Sequence, residues 1–135
     1  MENSWLNSEV LRIMQQFITD SLRTESTKFY DFPTNSRERL IHAAFGMQTE
    51  SAEFSDALKK SLFYGKPLDT TNLKEELGDL LWYIALAMDE LDTNFETETN
   101  RVISKLKLRY PDKFSEHLAE NRDLVAERKL LENEL

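Results

Sequence analysis

The sequence predicts an all-α protein, a bundle of four or five helices in a single domain that spans residues 1–135. Three observations favour this class. The 135 residues include only three Gly and three Pro, well below the roughly 12% of ordinary usage. Apolar residues recur at helical spacing, and no segment alternates polar and apolar residues between hairpin turns as β-strands do. The length also fits one domain, and no linker or internal repeat divides it.

Composition and charge exclude several classes of function. The chain has no Cys, which rules out disulfides, thiolate metal sites and cysteine nucleophiles. Its net charge of −8 argues against nucleic acid or an anionic membrane as a partner. The longest apolar run, Leu80–Met88, is far shorter than the roughly 20 residues that span a bilayer. Because the amino terminus also lacks the features of a signal peptide, we expect a cytoplasmic protein.

The first helix is predicted from residue 3 or 4 to Leu22, where apolar residues form a stripe along one face. The linker Arg23–Asn35 follows and is too rich in aromatic residues for a fully solvated loop. The second helix is predicted to begin after a Ser36 N-cap and to end near Tyr64, because Gly65 suits a C-cap.

The third helix is predicted to begin near Thr71 or Asn72 and to end near Leu91. Asn72 followed by Glu75 resembles a capping box, in which two side chains satisfy backbone N–H groups reciprocally.

The fourth helix is predicted to begin at a Thr93 N-cap, because Glu96 completes a Thr-x-x-Glu capping box. It should end at the residues just before Pro111, since proline disfavours helical geometry in the residue that precedes it. The fifth helix is predicted from a Ser115 N-cap to about Glu132.

Two pairs of carboxylates stand at the edges of apolar stripes on the second and third helices. Glu50 and Glu53 form one i,i+3 pair, and Glu76 and Asp79 form the other, so the two side chains of each pair are neighbours. An antiparallel return of the third helix would let the pairs face each other. A divalent cation would relieve their mutual repulsion, and all-oxygen ligands suit Mg²⁺ or Mn²⁺.

Two other interpretations of these acids stay open. They could be ordinary flank residues that pair with Lys59, Lys60 or Lys74. A carboxylate-bridged di-iron site is a further alternative, but it uses Glu-x-x-His pairs. Neither His42 nor His117 stands three residues after a Glu.

A cationic row lies on the fourth helix, where Arg101, Lys105 and Arg109 stand at i, i+4 and i+8. A row of this kind beside an acidic metal site would suit a chain of phosphates. The alternative is a solvated helix face on which Arg101 pairs with Glu98.

The run Leu80–Met88 is apolar on every side of the third helix. Such a helix must be covered all round, and a subunit interface with Trp82 as its anchor would provide the cover. A central helix enclosed within one chain is the alternative.

The acidic pairs also resemble a known signature. Glu50-Ser-Ala-Glu53 and Glu76-Leu-Gly-Asp79 are similar to the E-x-x-E…E-x-x-D motif of the all-α nucleoside triphosphate pyrophosphatases, which include MazG-like proteins and dimeric dUTPases. The surrounding segments agree in order and spacing: residues 42–46, 56–60, 64–67, 75–83 and 105–111. The last of these resembles the K-L-x-x-R-Y-P element of MazG-like members. The resemblance covers about Arg39 to Pro111.

The resemblance implies a Mg²⁺-dependent enzyme that hydrolyses a (deoxy)nucleoside triphosphate to the monophosphate and pyrophosphate, with water attacking the α-phosphorus. The implied metal ligands and catalytic residues are Glu50, Glu53, Glu76 and Asp79. The implied substrate-binding residues are Lys105, Arg109 and Asn100. A homodimer or homotetramer is also implied.

The nucleobase should lie among aromatic or polar side chains. The linker offers three aromatic candidates, although they could equally pack over the bundle: Phe29, Tyr30 and Phe32. Two alternatives without catalysis stay open. One is a catalytically degenerate family member that serves as an oligomerisation module, and the other is a helical partner-binding protein.

Overall fold

The computed structural model describes residues 7–31 and 37–133, and over these residues the chain is entirely helical, which confirms the all-α prediction. Within these two ranges the chain forms six helices in place of the predicted four or five: α1 (Ser8–Leu22), α2 (Glu38–Tyr64), α3 (Thr70–Glu90), α4 (Phe95–Arg109), α5 (Glu116–Glu120) and α6 (Leu124–Glu132). Within the described ranges, no helix combines the length and apolarity needed to cross a bilayer.

The chain divides into two compact units, which we describe separately. Residues 15–93 form the hairpin unit, and residues 1–14 with 94–135 form the carboxyl-terminal unit. The single domain predicted from the length of the chain stays a prediction.

The hairpin unit is built on α2 and α3, which pack against each other. Arg39 at the start of α2 meets Glu90 at the end of α3, so the two helices run antiparallel, as predicted. Gly65 ends α2 in the left-handed conformation, with φ of 64°, which confirms its assignment as C-cap. A residue without a Cβ adopts that φ at no steric cost.

The amino-terminal ends of these helices differ from the prediction. Ser36, the predicted cap of α2, lies outside the described residues. At α3 the Asn72–Glu75 capping box was wrong: the Asp69 carboxylate accepts the hydrogen bond from the Asn72 N–H, at 3.0 Å. A negative charge at this position also interacts favourably with the helix dipole.

Small residues allow the two helices of the hairpin to approach closely. Ala43 and Ala85 are fully buried, and Leu86 is the largest side chain that is fully buried in the described residues. Gly46 is buried against the ring of Tyr83, and a Cβ at Gly46 would lie 2.1 Å from that ring. The second and third helices therefore meet over a strip that tolerates little added volume.

A cluster of ionic contacts joins three segments at the open end of the hairpin. The Arg39 guanidinium contacts Glu25 at 2.7 Å, Asp89 at 2.8 Å and Glu90 at 2.9 Å. These hydrogen bonds, chiefly that to Glu25, raise the pKa of Arg39 above its ordinary value. The cluster fixes the segment that follows α1 against the ends of α2 and α3.

The carboxyl-terminal unit contains α4, α5 and α6. The predicted Thr93 cap of α4 was wrong by one residue, because Asn94 adopts the extended conformation and its side chain accepts from the Thr97 N–H at 2.9 Å. The helix ends at Arg109, as Pro111 predicted.

The predicted fifth helix is divided into two helices, α5 and α6, and each has its own N-cap. Ser115 caps α5 through the Leu118 N–H, which confirms that prediction. The chain then leaves helical geometry, and Asp123 caps α6 through the Ala126 N–H at 3.0 Å.

Apolar side chains remain exposed on the hairpin unit. Within Leu80–Met88, Ala85 and Leu86 are fully covered, but Leu81 is 43% exposed. The end of α2 exposes more, with Leu62 at 76% and Phe63 at 77%. Both regions offer surface that another molecule could cover.

Candidate metal centre and adjoining cavities

Three of the four predicted acids converge between α2 and α3. Glu50, Glu76 and Asp79 each place one carboxylate oxygen within 4.8 Å of the others. Glu50 comes from α2, and the other two lie one turn apart on α3. The i,i+3 spacing and the antiparallel pairing together bring them to one point, as the sequence pattern predicts.

Glu76 is the most buried member of the group, with 3% of its surface exposed. Its Oε1 accepts a hydrogen bond from the Asn72 side-chain amide at 3.0 Å. Its Oε2 is buried and has no hydrogen-bond partner among the described residues. A buried carboxylate oxygen without a partner is costly, and a cation between the three carboxylates would satisfy it.

The charges of this group act on one another. Burial raises the pKa of the Glu50 carboxyl, and the adjacent Glu76 raises it further. Glu53 and Asp79 add to the same shift through their charges. Burial also raises the pKa of the Tyr83 hydroxyl. The site therefore carries an excess of negative charge that a divalent cation would neutralise.

The acids do not form the surface ion pairs of the alternative interpretation. In the described part of the chain, no Lys, Arg or His nitrogen lies within 4.0 Å of any of the four predicted carboxylates. Lys59 and Lys60 instead both contact Asp56, at 3.0 and 2.6 Å.

Glu53 lies outside the converging group, on the side of the hairpin turn. It lines a cavity of about 300 Å³ whose other charged residues are three acids and two lysines: Asp56, Asp69, Glu76, Lys60 and Lys66. We call this the turn-side cavity.

A second cavity, of about 380 Å³, opens on the other side of the acids. We call it the aromatic cavity, and Glu50 and Asp79 form its border with the metal centre. Its other walls are His42, Trp82, Tyr83, Thr24 and Ser26. Sequence reasoning did not predict this cavity, because Trp82 lies in a run that is apolar all round and shows no preferred face.

Of the linker aromatics that the structure describes, Phe29 and Tyr30 do not line the aromatic cavity. Phe29 is 37% and Tyr30 68% exposed, and the Lys28 ammonium lies over the Tyr30 ring. Phe32 lies outside the described residues.

The predicted substrate-binding residues belong to the carboxyl-terminal unit. Arg109 is engaged by Glu127, whose two carboxylate oxygens accept from its Nε at 2.8 Å and its Nη2 at 2.9 Å. Arg122 contacts the same carboxylate at 2.6 Å. The Arg109 and Arg122 guanidinium groups lower the pKa of Glu127 to about 2.

The other residues of the predicted cationic row have different environments. Arg101 contacts Glu98 at 2.9 Å, which confirms the predicted pair, and it also donates to the Leu131 carbonyl. Lys105 is half-buried. The side-chain Oδ1 of Asn100 is buried and lacks a hydrogen-bond partner in the described ranges. The predicted phosphate contacts of Lys105, Arg109 and Asn100 stay predictions.

Comparison with known proteins agrees with this architecture. The family model of the MazG nucleotide pyrophosphohydrolase domain matches residues 42–114, which include the four acids. The Gene 37 protein of Mycobacterium phage L5 is 33% identical over 79 residues, which cover 56% of this chain and 69% of that protein. No solved structure matches the chain significantly. The family match extends over more than half of the chain, which therefore belongs to the MazG nucleotide pyrophosphohydrolase family.

Proposed function

We propose that the protein is a Mg²⁺-dependent pyrophosphohydrolase that converts a nucleoside or deoxynucleoside triphosphate to the monophosphate and pyrophosphate. The observation that carries the proposal is the buried, unpartnered Oε2 of Glu76 within a group of three converging carboxylates. An external cation would stabilise a group that pairs with no cationic side chain of the described chain. Membership in the MazG family supports the same activity.

The donor set fits Mg²⁺ or Mn²⁺ and does not fit a thiolate- or imidazole-bound metal. Glu50, Glu76 and Asp79 would hold the cation, with Glu53 one turn away on α2. All of these groups are carboxylates, which are the ligands that hard divalent cations prefer. When bound, Mg²⁺ would neutralise phosphate charge and polarise the phosphoryl oxygens.

The chain's own residues would supply positioning and proton transfer. A new bond forms between the water oxygen and the α-phosphorus, the α–β anhydride bond breaks, and pyrophosphate leaves. One of the glutamates takes the proton of the attacking water. Lys105 and Arg109 would stabilise the leaving pyrophosphate, as charge stabilisation of this kind is a major part of catalysis.

Release of pyrophosphate from a panel of nucleoside triphosphates, measured with and without Mg²⁺, tests the proposal. We expect release that requires the cation and stops when EDTA removes it. The matched variant is Glu76→Gln, which keeps the size of the side chain and removes its charge. Metal-independent release, or no release from any nucleotide, would overturn the proposal and favour a catalytically degenerate helical module.

We also propose that the protein is a homodimer or homotetramer. Large apolar side chains are exposed on the hairpin unit, including Leu62 and Phe63. Neighbouring apolar side chains that are exposed to this extent are the kind of surface that a second copy of the chain would cover.

A further inference from the structure

Two arginines of the carboxyl-terminal unit share one buried carboxylate. Glu127 is 4% exposed, and its Oε1 accepts from the Nε of Arg109 at 2.8 Å and from the Nε of Arg122 at 3.3 Å. Its Oε2 accepts from Nη2 of the same two arginines, at 2.9 and 2.6 Å. The carboxylate therefore forms a two-pronged contact with each guanidinium, the strongest geometry for such pairs.

The three residues come from separate segments of this unit. Arg109 is the last residue of α4, Arg122 lies between α5 and α6, and Glu127 is in the first turn of α6. The contact thus joins α6 to the end of α4, the two helices that pack together here. Arg122 and Glu127 both lie beyond the residues that the family model matches, so the family match does not account for this carboxylate.

Stability alone gives little reason for this arrangement. Removing one partner of a buried ion pair destabilises a fold, but replacing the whole pair with apolar residues is often neutral or stabilising. Orientation gives a better reason, because an arginine side chain has many rotamers and ordering it opposes binding. Glu127 removes that freedom from Arg109 as the chain folds. The fork of hydrogen bonds also fixes the plane of the guanidinium, which a single contact would leave free to turn.

Arg109 keeps a part of its guanidinium for another anion. Its third nitrogen, Nη1, takes no part in the hydrogen bonds to Glu127. The Arg109 side chain is 15% exposed, and it lines a cavity of about 180 Å³ beside these residues. The guanidinium is therefore held by one anion and stays accessible to a second.

We propose that Glu127 is a positioning residue, which holds the guanidinium of Arg109 in the orientation that receives the leaving pyrophosphate. This inference rests on the proposed function, in which Arg109 stabilises that group. Glu127 itself contacts no substrate and acts only through the arginine. Because the guanidinium is oriented before the reaction, it can stabilise the developing charge without reorganising.

Steady-state kinetics with Mg²⁺ and a nucleoside triphosphate test this role. Glu127→Gln should lower kcat/KM by about 5- to 20-fold, mainly through kcat, because the arginine is retained but no longer oriented. Its effect should be smaller than that of Arg109→Ala. The matched control is Glu132→Gln, which makes the same change on the same helix and breaks an exposed pair with Arg128. It should leave kcat/KM unchanged.

Arg122→Ala separates positioning from stability. It removes the second partner of the Glu127 carboxylate and should destabilise the unit, but it leaves the fork between Glu127 and Arg109 in place. Its kcat/KM should therefore stay close to that of the unmodified protein. Circular dichroism checks that every variant is folded under the assay conditions. A loss of turnover that follows the loss of stability in both variants would overturn the positioning role.

Binding of inorganic pyrophosphate tests the role without catalysis. Calorimetric titration in the presence of Mg²⁺ should show binding that Arg109→Ala and Glu127→Gln both weaken and Glu132→Gln does not. In the unmodified protein, the Nε–H resonance of Arg109 can be assigned by its loss in Arg109→Lys. It should stay protected from exchange with solvent when pyrophosphate binds, because Glu127 keeps its hydrogen bond to that nitrogen. This measurement needs no folded variant of Glu127.

The outcomes distinguish this inference from the proposed function. Pyrophosphate binding that Glu127→Gln weakens, with Nε–H protected in the complex, supports the inference even if no triphosphate is hydrolysed. Hydrolysis that Glu127→Gln leaves unchanged overturns the inference and leaves the function standing. Faster exchange of Nε–H on binding would mean that pyrophosphate displaces Glu127, which also overturns it. If the unmodified protein binds no pyrophosphate, the inference fails as well.

Discussion

The ring of Tyr83 on α3 occupies the space that a side chain at Gly46 on α2 would need. A Cβ at Gly46 would lie 2.1 Å from both Cδ1 and Cε1 of that ring. Since Tyr83 also lines the aromatic cavity, this contact connects the packing of the hairpin to the shape of the candidate site.

Gly46→Ala should therefore destabilise the protein relative to the matched variant Gly78→Ala. Replacing a helical Gly by Ala stabilises a helix by about 1 kcal/mol, but forcing volume into a packed contact costs about 1–3 kcal/mol. A methyl group at Gly78, in α3, would meet no described atom within 4 Å, so only the stabilising effect applies there. Urea unfolding measures the free energy of unfolding of the two variants. Equal stabilisation by the two variants would contradict the close contact.

The four acids should act as one metal site. Glu50→Gln, Glu53→Gln, Glu76→Gln and Asp79→Asn should each reduce pyrophosphate release by about 100-fold or more and leave the helical content unchanged. Glu50→Gln should raise the melting temperature in EDTA, because it relieves repulsion among the carboxylates.

Glu75→Gln is the control for these variants. It removes one carboxylate from the same helix, at an exposed position next to Glu76. Its turnover should match that of the unmodified protein. Near-normal turnover in the variants of the four acids would show that the site is assigned incorrectly.

The pair between Glu127 and Arg109 should make stability depend on acidic pH. The pKa of Glu127 is about 2 in the folded chain, against an ordinary value of 4.5. A depressed pKa in the folded state adds stability above the unfolded value, and that stability is lost as the pH falls from about 4.5 towards 2. Glu127→Gln lacks this contribution at every pH. Its stability, from denaturant unfolding, should be lower than that of the unmodified protein at neutral pH, and the difference should vanish near pH 2. If the difference in stability between the two proteins stays constant with pH, the ion pair between Glu127 and Arg109 does not stabilise the fold.

The three residues of the cationic row should contribute unequally to catalysis. If Arg109 holds the leaving pyrophosphate, Arg109→Ala should lower kcat as well as raise KM, with a loss of about 30- to 1,000-fold in kcat/KM. Lys105→Ala should have a smaller effect of the same kind. Arg101→Ala should change kcat/KM by less than about fivefold, because its pair with Glu98 is a surface interaction of little energy.

Glu127→Gln separates catalysis from structure at Arg109, since it breaks the ion pair but retains the guanidinium. If it lowers kcat/KM as much as Arg109→Ala does, the arginine acts through folding. Similar small effects at all three positions would show that the row does not hold the substrate.

The assembly should be at least dimeric. Light scattering at micromolar concentration should give a mass of two or more chains of 15.9 kDa. Leu81→Glu places a charge in the run Leu80–Met88 and should dissociate the assembly if that run forms the interface. If Phe63→Glu dissociates the assembly and Leu81→Glu does not, the interface lies at the end of α2. If the unmodified protein is a monomer, neither region is a subunit interface.

The sequence predicted well those features that depend on local spacing. Gly65 as a C-cap and the end of α4 before Pro111 follow from backbone preference. The convergence of three of the four acids follows from helical periodicity, whereas Glu53 lies outside that group. The caps of α3 and α4 were wrong where several capping residues stand together, as in residues 69–72 and 93–94. In such runs the backbone conformation, which the sequence does not specify, selects one of them.

Contacts between distant residues could not be predicted in the same way. Long flexible side chains such as Arg39 and Arg109 can reach several carboxylates, and nothing in their local pattern indicates which. The aromatic cavity was missed for a related reason. Its wall combines the segment after α1 with two separate helices, and the hydrogen bond from Trp82 to Thr24 joins that segment to α3.

The contacts of Arg39 should make the shape of the aromatic cavity depend on the ionic strength of the solution. One wall of the cavity, at Thr24 and Ser26, flanks Glu25, which Arg39 holds. The guanidinium is 27% exposed, so dissolved ions can screen its contacts. Raising the ionic strength should therefore loosen this wall and alter the shape of the cavity beside the three acids.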